Sequence, residues 1–294
     1  MDVEISPFLK WAGGKRWLCK RFPELFPAAY NRYFEPFLGS GAVFFHLKPE
    51  KAFLSDRNLD LIKTYNAIKN DWKAVYSLLS DHARNHNDEY YYKIRAEIPS
   101  SEHEVAARFL YLNRTCWNGL YRVNIKGIFN VPRGTKDNVL LPTDNFLNSQ
   151  KALRGASITC RDFSKTISLA RRDDFIFIDP PYTVAHNLNG FVKYNDKIFT
   201  WNDQIRLRDC ALSAARRGVK ILITNADHSS IRSLYEGIGE HFPLDRATVI
   251  SGDASGRRGT TELAIAIGYQ PNKPKPKSAR DDSGLAPQSG QECR

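Results

Sequence analysis

Apolar positions fall into short runs separated by amphipathic stretches, the pattern of strands alternating with helices. Tyr33-Phe34-Glu35-Pro36-Phe37 reads as a short strand closed by Leu38-Gly39-Ser40-Gly41. Ala52-Phe53-Leu54-Ser55-Asp56 reads as a second strand ending in an acid, with Ala42 to Leu47 helical between the two. Apolar spacing predicts helix from Leu59 to about Leu79. The pattern then changes. Helical pieces around Tyr90–Ile98 and Glu104–Leu112 lead into a loop-rich stretch of Asn, Gly, Arg and aromatic residues. Strand and helix signals return with Ser157–Cys160, Phe175–Ile178, Lys220–Thr224 and Leu263–Ile267. Two α/β blocks, 1–58 and 157–269, therefore flank an insertion, 59–156. From 270 to 294 Pro, Ser, Gly and charge dominate, and too little apolar surface remains to fold, so a disordered tail is expected.

The most informative junction is Phe175-Ile176-Phe177-Ile178 followed by Asp179-Pro180-Pro181-Tyr182. Two prolines stop a buried strand abruptly at its carboxyl end. Open α/β sheets bind ligands at that edge, so an acid and an aromatic ring are delivered to a crevice. An acceptor and a stacking face suit chemistry on a planar amine. A strand end with an ordinary exposed acid accounts for the same four residues.

Composition narrows the class. The 294 residues are 42% apolar and 26% charged, ordinary for a globular protein with a sizeable core. No apolar run reaches membrane-spanning length, and the start lacks a secretory pattern, so a soluble, cytoplasmic protein is expected. Five dispersed cysteines without a Cys-x-x-Cys pair argue for reduced thiols rather than a disulfide frame or zinc ribbon. The net charge of +11 points to a polyanionic partner. Its placement supports nucleic acid: Arg108, Arg114, Arg122, Lys126 and Arg133 share one aromatic, Asn-rich stretch, and Arg257 and Arg258 share a Gly/Ser loop. A solubility charge spread over the surface is the alternative.

Several motifs can be weighed singly. Gly39 and Gly41 allow a sharp turn after a strand, but Phe44 replaces the third glycine of a dinucleotide fingerprint. A ligand without phosphates remains possible there. Asp56, fifteen residues beyond Gly41, can accept from ribose hydroxyls, and together these imply an adenosine-containing ligand. Trp11-Ala12-Gly13-Gly14-Lys15 fails as a P-loop, because Leu9 stands at the first glycine position and Arg16 follows the lysine. A Gly-Gly turn placing Trp11 and Lys15 beside a carboxylate or purine is the functional reading. His82 and His86 have ligand spacing, yet no third ligand is evident and no metal is expected. In Tyr111–Asn124 and Gly127–Gly134, Arg and Asn are base-edge readers and the rings can wedge or stack. A loop packed by its own aromatics is the alternative.

Taken in order, Phe8-Leu9-Lys10-Trp11-Ala12-Gly13-Gly14-Lys15, Glu35-Pro36-Phe37-Leu38-Gly39-Ser40-Gly41, Leu54-Ser55-Asp56 and Asp179-Pro180-Pro181-Tyr182, with the Asn/Arg segments between, resemble Dam-type DNA adenine-N6 methyltransferases. The likeness covers roughly residues 6–268. It implies a Rossmann-like α/β methyltransferase sheet with a mainly helical target-recognition insertion, 59–156, whose hairpin is 111–134. It also implies S-adenosylmethionine contacted by Trp11, Lys15, Gly39, Gly41, Asp56 and Asp179. Asp179 and the Pro180 carbonyl would accept from the adenine amine while Tyr182 stacks on the extruded base. Lys10, Arg114, Trp117, Asn118, Leu120, Arg122, Asn124, Asn130 and Pro132 map onto DNA contacts, with Arg122 on a base edge and Arg114 on a phosphate. The expected substrate is GATC in double-stranded DNA, acted on by a monomer without metal. Cytosine N4, adenine in RNA, and a catalytically silent DNA-binding protein are the rivals.

Overall fold

A computed structural model describes residues 4–119, 121–123, 128–184, 199–246 and 260–271. The expected tail from residue 272 onward, the Arg257/Arg258 loop, Leu120, Asn124 and Lys126 lie outside the described residues. Seven strands form one sheet: β1 (Tyr33–Glu35), β2 (Ala52–Asp56), β3 (Ala156–Cys160), β4 (Phe175–Ile178), β5 (Lys220–Ala226), β6 (Glu240–Arg246) and β7 (Thr260–Ile267). Their order is β3-β2-β1-β4-β5-β7-β6, parallel except that β7 runs antiparallel to both β5 and β6. Helices cover both faces, so the central strands are buried throughout. Phe175 and Phe177 of β4 face one apolar cluster, and Ile176 and Ile178 face the other, the period of two that a pleated strand imposes.

Helix α1 (Arg16–Arg21) precedes the sheet, and α2 (Ala42–Leu47) follows β1. Between β2 and β3 come α3 (Leu59–Arg84), α4 (Asp88–Ala96), α5 (Glu102–Thr115) and α6 (Phe146–Leu153). The apolar cluster on one sheet face continues into this insertion through Leu61, Tyr65, Phe109 and Tyr111. Helix α3 outruns its sequence expectation but breaks at Asp71 (φ −148°, ψ 79°), whose carboxylate accepts from the N–H groups of Lys73 and Ala74 and restarts the helix. Helix α4 stops earlier than expected, at Ala96, because Pro99 disfavours helical backbone at Ile98. Beyond β3 lie α7 (Phe163–Ile167), α8 (Trp201–Arg216) and α9 (Ser229–Leu234). Strand β6 carries Pro243, which only an edge position tolerates, and its weak alternation hid it from the periodic reading.

Within β1, Tyr33 and Glu35 point to the same buried face, and the Tyr33 hydroxyl donates to Glu35 Oε2 at 2.8 Å. Burial pushes the Glu35 carboxyl up to about 8, helped by the charges of Asp179 and Asp56 and opposed by the Tyr33 bond. Between the ordinary value of 4.5 and about 8, the folded chain therefore holds a proton that the unfolded chain has lost. Stability then falls as pH rises through that window, by up to about 1.4 kcal/mol per pH unit. Glu35→Gln keeps the acceptor without the charge. Its melting temperature should rise relative to the parent from pH 5 to pH 8; a difference that stays constant with pH would contradict the assignment.

Candidate active site

The connections from β1 and β4 leave the sheet in opposite directions, making these two adjacent parallel strands the topological switch point. In open α/β sheets, ligands bind outside the carboxyl ends of the strands at such a point. After β1 the chain turns through Gly39 (φ 46°) and Gly41 (φ 63°). A Cβ on Gly39 would stand 2.7 Å from Trp11 Cδ1, so only glycine lets the indole lie on this turn. Asp56, at the end of β2, accepts from Gly39 N at 3.1 Å and from Asn58 N at 3.0 Å. Burial raises its carboxyl above the ordinary range, and these backbone donors oppose the rise.

Asp179 directly follows β4. Its Oδ1 takes an ion pair from Lys15 Nζ at 2.9 Å and a hydrogen bond from Thr224 Oγ1 at 2.8 Å. Lys15 is itself buried and also meets Glu262 Oε2 at 3.3 Å. Tyr182 donates from its hydroxyl to the same Glu262 oxygen at 2.6 Å, and its ring centroid lies 5.1 Å from Lys15 Nζ. One ammonium thus bridges two carboxylates, and the second carboxylate fixes the tyrosine. Burial raises the Asp179 carboxyl, Lys15 draws it back, and the Glu262 charge raises it again. The Tyr182 phenol is likewise raised, by burial and then by Asp179 and Glu262.

Glu262 and Thr224 were absent from the sequence-based site. Both come from strands far from Lys15 in sequence, β7 and β5, which pair next to each other. A signal existed: Glu262 is the one charged residue in Thr260-Thr261-Glu262-Leu263-Ala264-Ile265-Ala266-Ile267, and it is buried. Lone buried acids need a partner.

The hairpin expected to meet DNA leaves the end of α5. Its described parts pair through isolated bridges, Cys116 with Arg133 and Val123 with Phe129. Trp117 (53% exposed), Asn118, Arg122, Asn130 and Pro132 face outward. Asn118 adopts a left-handed conformation (φ 56°). Lys10 lies against this loop: its backbone N–H donates to Asn113 Oδ1 at 2.9 Å, and Asn113 Nδ2 donates to the Lys10 carbonyl at 2.8 Å.

Arg114 corrects the sequence reading. It is 1% exposed, and its two terminal nitrogens fork onto both oxygens of Asp144 at 2.7 and 2.6 Å. The same nitrogens donate to the carbonyls of Val139 (2.7 Å) and Phe8 (3.0 Å). A guanidinium so enclosed does not reach a phosphate. Arg108 donates to the carbonyls of Ile94 and Arg95, capping α4, and Arg133 pairs with Asp88 and Asp137. Of the basic group read as a polyanion surface, Arg122 is the described member left exposed. Arg108, Arg114 and Arg133 instead hold the insertion together.

Among the described residues no group of three or more His, Cys, Asp or Glu could hold a metal, and no helix is long and apolar enough to cross a membrane. His82 and His86 instead bond the hydroxyls of Tyr90 and Tyr111, at 2.9 and 2.8 Å.

Comparison with known proteins identifies the family. The family model for D12 class N6 adenine-specific DNA methyltransferases matches residues 11–249. The type II methyltransferase M1.LlaDCHI of Lactococcus lactis subsp. cremoris is 36% identical over 91% of this chain and 96% of its own. The DNA adenine methylase of Haemophilus influenzae is 38% identical over 80% and 84%, and that of Vibrio cholerae 34% over 87% and 94%. The chain therefore belongs to the D12 class of N6 adenine-specific DNA methyltransferases.

Proposed function

We propose that the enzyme methylates adenine N6 within GATC in duplex DNA, with S-adenosylmethionine as donor and the target base flipped into the crevice beside Tyr182. The observation that carries this reading is the Asp179 carboxylate, anchored by Lys15 and Thr224 at the end of β4 with Tyr182 three residues on. Residues 59–156 act as the recognition unit in this reading, and the catalytic unit comprises 1–58 and 157–269.

The donor pocket fits an adenosine-bearing ligand. Gly39 and Gly41 give a turn without side chains, and each Asp56 oxygen has lone-pair capacity beyond its backbone donor for a ribose hydroxyl. Trp11, Lys15 and Asp179 complete the wall. When bound, S-adenosylmethionine supplies an electrophilic methyl group. The chain's own residues then act on the nucleophile. An adenine amine is weakly nucleophilic because its lone pair is delocalised into the ring. Asp179 and the Pro180 carbonyl accept its two N–H groups, favour sp3 geometry and localise that pair. Tyr182, held at its hydroxyl by Glu262, offers a fixed ring face to the extruded base. Positioning and electrostatics supply the acceleration, with Asp179 orienting and polarising.

On the DNA side, Arg122 reads a base edge, and Lys10, Trp117, Asn118, Leu120, Asn124, Asn130 and Pro132 make the further DNA contacts that the resemblance to Dam-type sequences implies. The choice of GATC rests on the likeness of this hairpin to Dam-type sequences. The protein works as a monomer in the cytoplasm. Flipping has a direct readout: 2-aminopurine replacing the GATC adenine should brighten when the enzyme binds, and the same base in a scrambled duplex should brighten far less. Equal brightening in both duplexes would remove the GATC assignment, and none in either would remove flipping.

A further inference from the structure

Among the described residues, Tyr121 joins the recognition hairpin to the wall of the donor pocket. Tyr121 lies in the hairpin, yet its ring stacks on Trp11 (centroids 6.2 Å apart, 17° between planes) and packs at 4.2 Å on Phe109 and 5.1 Å on Phe129. Trp11 lies on the Gly39 turn, so a shift of Tyr121 is felt at the turn. The Tyr121 hydroxyl donates to Asp60 Oδ2 at 3.1 Å, in the first turn of the helix that follows Asp56. The residue therefore touches elements on both sides of the pocket: the Trp11 wall and the segment beyond β2. Nearby, Asn113 clamps the Lys10 backbone from α5, and Arg114 holds the Phe8 carbonyl. The segment leading to Trp11 is thus tied to the root of the hairpin, and Tyr121 adds a contact from beyond the end of α5.

We propose that Tyr121 is a positioning residue that couples DNA engagement by the hairpin to the affinity of the donor pocket. The inference rests on the donor site proposed above. DNA gripped by the hairpin at Arg122 holds Tyr121 in its place on Trp11 and Asp60, and the donor meets a fixed wall. Linkage requires the effect to be reciprocal: the donor must tighten duplex binding by the factor by which duplex tightens the donor.

The test measures binding of S-adenosylhomocysteine, a non-reacting probe of the pocket, by calorimetry with and without a GATC duplex. In the parent protein the duplex should tighten the probe by about 5-fold or more, with the same factor in the reverse titration. Tyr121→Ala should weaken the probe alone by roughly 3- to 10-fold, the scale of a lost aromatic stack. It should also bring the duplex effect close to unity. Tyr121→Phe, which keeps the ring and loses the Asp60 bond, should retain most of the probe affinity, whereas Tyr121→Leu, which fills space without a ring, should not. Tyr121→Leu repeats the measurement with a space-filling side chain if the alanine variant melts too low. A parent without duplex effect, or a Tyr121→Ala protein that keeps both probe affinity and duplex effect, overturns the proposal. A parent that binds no probe at all overturns the donor-site reading and this coupling with it.

Discussion

Asp179→Ala should lower kcat by a factor of roughly 10² to 10³ or more, the loss expected when a pre-organised polar group at a reacting centre is removed. Duplex binding should stay within a few-fold of the parent. The expectation follows from the anchoring of the carboxylate. Lys15 and Thr224 both engage Oδ1, so the acid is held where the amine must arrive. Its removal leaves Lys15 with Glu262, so the local ion pair persists and the fold is spared. Asp179→Asn is the sharper variant. It preserves shape but replaces one acceptor with a donor, which either faces the Lys15 ammonium or faces the amine that needs an acceptor. It should be nearly as impaired as alanine. Single-turnover rates with saturating donor and duplex separate this chemical loss from weakened binding. A variant with parental single-turnover rate would remove Asp179 from its role.

Arg114→Ala should destabilise the protein by about 3–5 kcal/mol, the range for breaking a buried ion pair by deleting one partner. For a chain of this size that corresponds to a melting shift on the order of 10 °C. The arginine joins α5 to the Phe8 carbonyl, to Val139 and to both oxygens of Asp144, which also accepts from Leu141 N at 2.9 Å. Deletion strands the Asp144 carboxylate and two carbonyls in an apolar setting. Arg114→Lys should recover only part of the loss, since an ammonium cannot fork onto a carboxylate. A phosphate-binding role predicts something different: unchanged melting and a reduced salt slope of DNA binding. Thermal denaturation of the two variants decides between them, and a parental melting temperature for Arg114→Ala would contradict the structural assignment.

Arg114 also marks where sequence reasoning stops. Arginines clustered in an aromatic, Asn-rich stretch read as a DNA surface, but composition carries no information on which guanidinium finds an internal acid. Asp144 lies thirty residues away with no periodic relation to Arg114. The sheet was more legible, because each central strand is a short apolar run closed by a turn residue or an acid, as in Phe175–Ile178 before Asp179 and Ala52–Ser55 before Asp56. The glycine turn was legible for the same reason: only glycine accepts φ near +46° against an indole. Glu262 was hidden because its meaning depends on β7 inserting antiparallel beside β5, a pairing that periodicity does not encode. Tyr121 was read as part of a recognition loop; its stacking on Trp11 emerges only when residues far apart in sequence fold together.

In the proposed function, Asp179–Tyr182 places one methyl group on one adenine amine in GATC. The most direct measurement incubates the enzyme with methyl-labelled S-adenosylmethionine and duplexes that contain GATC or a permuted site, then digests the DNA and identifies the labelled nucleoside and its position. Label is expected on N6-methyladenine, confined to GATC and lost in Asp179→Ala. Label on cytosine, or equal labelling of adenines in the permuted duplex, would contradict it.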